Sequence, residues 1–178
     1  MSQLDHFNPL ETEQNRPSGI KQHGPEAFAA MRKAGRLAAE ALDMLVDQVR
    51  PEVTTEAIDK LLFEFAMDHK AYPATLNYRG YTHSSCISIN HVVCHGIPSG
   101  RALKNGDIAN IDVTLIVDGW HGDSSRMYVA GDIERKAERL IDITYEAMMR
   151  GIEAIRPGAT VGHIGEAIQI YAESERCS

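Results

Sequence analysis

Asp112 and Asp123 are the two side chains of this sequence best placed to do chemistry together. They fall in the stretch 107–132, DIANIDVTLIVDGWHGDSSRMYVAGD, where two runs of alternating apolar residues flank Asp118-Gly119. Asp-Gly between such runs is the strongest short-range signal for a type I′ hairpin turn. That turn fixes a register in which Val117 faces Trp120, Thr114 faces Asp123 and Asp112 faces Ser125. The two aspartates then share one face as diagonal neighbours, about 7–8 Å apart at the backbone. Ile111, Val113, Leu115, Val117 and Trp120 take the other face, the one expected to be buried. Two ionised carboxylates repel unless a cation or hydrogen-bond donors lie between them. On the hairpin alone both readings stand: a shared metal ion, or a polar cluster satisfied by Ser124, Ser125, loop amides or Arg126.

The elements that must position this hairpin are mostly helical. Residues 1–24 are polar and carry Pro17, Gly19 and Gly24 without a period, so an extended arm is expected. Pro25 at a first helical position opens a helix to about residue 50, with Met31, Ala38, Leu42, Leu45 and Val49 as its apolar stripe. Thr54 or Thr55 caps a second, running to about residue 69, whose stripe is Ile58, Leu61, Leu62 and Phe65. Residues 86–89 and 92–95 look like two short strands. A third helix is expected over about 133–155, with the stripe Ile141, Tyr145, Met148, Ile152 and Ile155, and a fourth begins at Thr160.

An internal repeat runs through these helices. At an offset of 106, Glu40, Ala41, Arg50, Pro51, Thr54, Ile58 and Ala66 recur as Glu146, Ala147, Arg156, Pro157, Thr160, Ile164 and Ala172. Each copy reads as helix, Arg-Pro breaker, threonine-capped helix, over 25–70 and 133–174. The shared phase favours duplication over the chance likeness of two amphipathic pairs.

Composition narrows the function classes. The 178 residues are 43% hydrophobic with a formal net charge of −7, enough for a packed core and the wrong sign for nucleic acid or an anionic membrane as main partner. No apolar run approaches the ~20 residues a bilayer requires, and no secretory signal is evident, so a cytoplasmic location is expected. Cys86, Cys94 and Cys177 give an odd count without Cys-x-x-Cys spacing, which indicates neither a disulfide framework nor a zinc finger.

Longer motifs then give a resemblance. The segments NYRGY (77–81), CISIN (86–90), VVCHGIP (92–98), NIDV (110–113) and GWHGDSS (119–125) resemble type I methionine aminopeptidases, with likeness extending over about 21–178. The resemblance implies an α+β pita-bread fold of two related halves, in agreement with the repeat. By it, Asp112 and Asp123 are metal ligands of a centre of two divalent ions (Co, Mn, Fe or Zn). His95 is the catalytic histidine that also binds the substrate peptide, and Tyr78, Tyr81 and Cys86 line the methionine pocket. His91 and His121 are near the site but are not assigned as ligands. The implied substrates and partners are nascent polypeptide N-termini, with the ribosome as a further partner, and the complete enzyme is expected to be a monomer. One histidine and two glutamates that complete the ligand set belong to the family's second half. Residues 25–178 are therefore expected to be an incomplete catalytic domain, the first half plus the helix pair of the second, inactive alone, with an apolar face left uncovered. Glu52 departs from the family, which has glycine after the first Arg-Pro. Two other readings stay open: a proline-specific peptidase of the same fold, and a non-catalytic module that engages ribosomes or nascent chains.

Overall fold

The computed structural model describes residues 21–177, so the expected arm over 1–24 lies outside the described residues except for 21–24, which form no regular element. Helix α1, Pro25–Met44, starts with its proline at the first turn, where the missing N–H is no loss. It is shorter than expected: residues 45–48 form a turn, and Leu45 and Val49 enter the core from that turn and beyond it. Of the expected stripe Met31 is exposed, while Ala38 and Leu42 are buried and are joined on that face by Ala34 and Ala41. Small side chains there let the helix backbone approach the sheet closely. Helix α2, Thr55–Asp68, is capped by Thr54, whose hydroxyl oxygen accepts from the Ala57 N–H at 3.2 Å.

The sheet is antiparallel and built on β3, Asp107–Val117. One side of β3 pairs with β1, Tyr72–Pro73, and with β2, Cys86–Ile89. The other side pairs along its whole length with β4, Trp120–Ala130. Asp118 and Gly119 both have positive φ, 50° and 81°, as a type I′ turn requires. The register is the expected one, with Val117 opposite Trp120, Thr114 opposite Asp123 and Asp112 opposite Ser125. Ile111, Val113, Leu115 and Val117 pack with Leu42, Leu45, Ile58 and Leu62 into one core, while Trp120 is only half-buried at its edge.

Residues 92–95 are not the strand that their apolar pair suggested. Asn90 and His95 both take left-handed backbone, φ 53° and 54°, which breaks an extended run at each end. Val93 consequently points outward, 93% exposed. A short apolar run reads as a buried strand only where another element covers it.

Helices α3, Arg135–Glu153, and α4, Val161–Ser174, pack on each other. Gly151 makes this possible, since a Cβ there would lie 2.9 Å from Ile168 side-chain atoms. The buried line of α3 is Ile143, Ala147 and Gly151, four residues apart. The expected stripe is displaced from it, and Tyr145, Met148, Ile152 and Ile155 are exposed. Periodicity locates an apolar line but not which neighbour meets it.

The two helix pairs also share a backbone feature. Glu52 has φ 71°, and its counterpart at the offset of 106, Gly158, has φ 85°. Left-handed backbone costs a non-glycine residue about 1–2 kcal/mol, against about 0.5–1 kcal/mol for the extra unfolded-state freedom of glycine. Glu52→Gly keeps the Glu52 N–H donation to the Leu103 carbonyl, 2.8 Å. It is therefore expected to raise the thermal midpoint by about 2 °C in a calorimetric scan.

Candidate metal and substrate site

The strand alternation that buries Ile111 and Val113 turns Asn110, Asp112 and Thr114 to the opposite face of β3. On neighbouring strands the same face carries Cys86, directly paired with Asp112, and Asp123, paired with Thr114. The two aspartates therefore meet as the sequence requires. The Asp112 carboxyl is held above its ordinary value, first by burial and then by the Asp123 carboxylate beside it, while His95 opposes the shift. Two carboxylates side by side on one face, one of them raised by its neighbour's charge, are a donor set suited to a hard or borderline divalent cation. They supply part of such a set: among the described residues no group of three or more His, Cys, Asp or Glu side chains is gathered to hold a metal.

His95 sits on the loop after β2 and is held by its neighbours. The Gly96 N–H donates to Ser88 Oγ at 3.0 Å, and the Gly96 carbonyl accepts from the Ile87 N–H at 2.8 Å. A Cβ on Gly96 would lie 2.2 Å from the Ile87 carbonyl oxygen, so this close approach requires glycine. The loop's other end is fixed by Asn90, which donates to Asp107 Oδ1 at 2.8 Å and accepts from the Ile108 N–H at 3.0 Å. Burial alone would raise the Asp107 carboxyl, but the Lys104 N–H, the Asn90 amide and Arg101 outweigh it and hold that carboxyl below its ordinary value.

Tyr81 and Cys86 form a wall beside the carboxylates. The Tyr81 hydroxyl donates to the Ser85 carbonyl at 2.8 Å, and burial is the main reason it is held well above its usual ionisation range, with the Cys86 thiol adding to the effect. Burial likewise pushes the Cys86 thiol up, reinforced by the charges of Asp112 and Asp59 and opposed by Tyr81. The wall is thus neutral at physiological pH and offers a ring and a sulfur. Tyr78 lies on the short 3₁₀ turn Tyr78–Gly80, 46% exposed, with the Arg79 guanidinium over its ring. Asn110 was absent from the expected site, although it lies two residues before Asp112 on the same face and its amide reaches Ser125 Oγ at 3.3 Å. Alternation by two would have found it.

The sequence signature of metallopeptidase family M24 matches residues 29–177. The chain belongs to this family. A methionine aminopeptidase of Rickettsia prowazekii is 58% identical over 159 residues, covering 89% of this chain and 61% of the relative. That of Escherichia coli K12 is 46% identical over 153 residues, covering 85% and 58%. The crystal structure of the Rickettsia prowazekii enzyme superposes with a TM-score of 0.87, covering 88% of this chain and 63% of that one. A Xaa-Pro dipeptidase of Bacillus anthracis shares the fold alone, at 19% identity and a TM-score of 0.76. The α+β architecture is therefore the M24 pita-bread fold, and the chain spans about 60% of the length of the methionine aminopeptidases it matches.

Proposed function

We propose that this protein serves the metal-dependent removal of N-terminal methionine from newly made polypeptides in the cytoplasm, with nascent N-termini, met at the ribosome, as its partners. The observation that carries this reading is the single sheet face shared by Asp112, Asp123 and Cys86. Asp112 and Asp123 would hold the metal. A divalent ion held there would supply Lewis acidity and lower the pKa of a water molecule. His95, on its pinned loop, would donate to the substrate's peptide oxygen as charge develops on it. Tyr81 and Cys86 would receive the methionine side chain, since a neutral aromatic and sulfur-bearing wall suits a thioether and excludes charged residues.

Two carboxylates leave a divalent ion short of the four or more donors it takes in proteins (about four for zinc, six for harder ions). The 178 residues alone are accordingly expected to release no methionine from a Met-Ala-Ser peptide. The activity is tested by placing residues 29–177 into the Rickettsia prowazekii enzyme in place of the segment they match. This chimaera is expected to release methionine when given Mn²⁺ or Co²⁺, and to lose at least about a hundredfold in rate on His95→Ala, the scale of removing one donor to a developing oxyanion. A folded chimaera that releases no methionine, or one that prefers Xaa-Pro peptides, would sink the reading.

A further inference from the structure

The wall of Tyr81 and Cys86 is anchored from behind by a residue that none of the motifs contains. Asp59 lies on the buried stripe of α2, between Ile58 and Leu62, and is only 8% exposed. A carboxylate at that depth must be met by donors. Those donors come from far along the chain: the Ser84 N–H reaches Oδ1 at 3.0 Å and Oδ2 at 3.3 Å, and the Ser85 hydroxyl reaches Oδ1 at 2.6 Å. Ser85 in turn receives the Tyr81 hydroxyl on its carbonyl at 2.8 Å. The next residue is Cys86, which pairs with Asp112.

One side chain thus fixes the segment from which both parts of the wall project. An apolar residue at 59 would continue the helix stripe without the desolvation cost of a carboxylate. What Asp59 adds is the tie to Ser84 and Ser85. We propose that Asp59 is a positioning residue: it holds Tyr81 and Cys86 at the edge of the Asp112–Asp123 face and so sets the shape of the side-chain pocket, an inference that rests on the pocket reading above.

Alkylation of the native chain by iodoacetamide, resolved by mass spectrometry of the cysteine peptides, tests this. Exposed Cys94 serves as internal reference for buried Cys86. Asp59→Ala is expected to raise the Cys86/Cys94 rate ratio about tenfold or more, because the hydrogen bonds from Ser84 and Ser85 no longer hold the segment closed. Asp59→Asn keeps Oδ1, the atom that both serines reach, and is expected to restore most of the protection. Leu62→Ala, which weakens α2 without touching the tie, is expected to lower the melting temperature and leave the ratio unchanged. The proposal is overturned if Asp59→Ala leaves the ratio unchanged, if Asp59→Asn behaves like alanine, or if Leu62→Ala raises the ratio as much. Should Asp59→Ala fail to fold, Ser85→Ala removes the 2.6 Å bond alone; it must raise the ratio, and an unchanged ratio overturns the proposal. Methionine amide slowing Cys86 alkylation in the unmodified chain reports on the pocket itself. Absence of that protection defeats the pocket reading, whereas an Asp59-dependent ratio still supports the positioning of Tyr81 and Cys86.

Discussion

Replacing Gly122 with alanine is expected to destabilise the fold by about 3 kcal/mol or more, at the upper end of what overpacking costs. Gly122 lies on the core face of β4, opposite Leu115 and beneath α1. A Cβ built there would stand 2.1 Å from the Ala34 carbonyl oxygen, 2.3 Å from its carbon and 2.7 Å from the Gly35 nitrogen. All three are helix backbone, so no side chain can rotate aside; the helix itself must lift from the sheet. Lifting it also strains the seats of Ala34, Ala38 and Ala41, whose small size permits the close approach. Urea unfolding should show a lower midpoint with an unchanged slope, the mark of lost stability without a change in the surface exposed. Gly35 supplies the control. It is exposed in the middle of α1, where an added Cβ would meet nothing within 4 Å, and Gly35→Ala is expected to stabilise by about 0.5–1 kcal/mol. A midpoint unmoved by Gly122→Ala would show that helix and sheet do not pack this tightly.

The same glycine shows what a sequence can and cannot reveal. The hairpin was legible because its turn chemistry, Asp118-Gly119, and its period of two are local, and together they force the register that joins Asp112 to Asp123. The helix cap at Thr54 is local too, whereas α1 stops at Met44, short of the Arg50-Pro51 breaker. Gly122, by contrast, reads as an ordinary strand glycine until α1 is laid on it. The outward-facing Tyr145 and Met148 and the exposed Val93 mislead for a related reason, since an apolar pattern says that a side chain prefers burial without naming the element that buries it. Asp59 was the most readable of the missed residues. An acid at position 59, three before Leu62 and seven before Ala66, sits on the helix's own apolar stripe, and a carboxylate there signals distant donors.

Asp112→Asn is expected to have two opposite effects on stability, one without metal and one with it. Burial first, and then the neighbouring Asp123 charge, raise the Asp112 carboxyl above the ordinary 3.8 in the folded chain, with His95 opposing. A carboxyl raised on folding holds its proton more tightly folded than unfolded. Stability therefore falls as pH rises from the unfolded value near 3.8 through the raised folded value, and the full penalty is present above both. Asparagine carries no such proton, so the variant should be more stable than the unmodified chain at neutral pH in EDTA, with the difference closing as pH drops through that window. Asp107, held low, contributes with the opposite sign, but it is common to both proteins and cancels in the comparison. A divalent ion bound between the carboxylates removes the repulsion, and at ten times its Kd it adds about 1.4 kcal/mol to the unmodified chain, or roughly 3–5 °C at this size. Mn²⁺ titration followed by thermal unfolding should show that rise in the unmodified chain and neither in Asp112→Asn nor in Asp123→Asn. The chain carries 25 acidic residues, so an equal rise in both variants would place the ion elsewhere and remove the hairpin from the metal site.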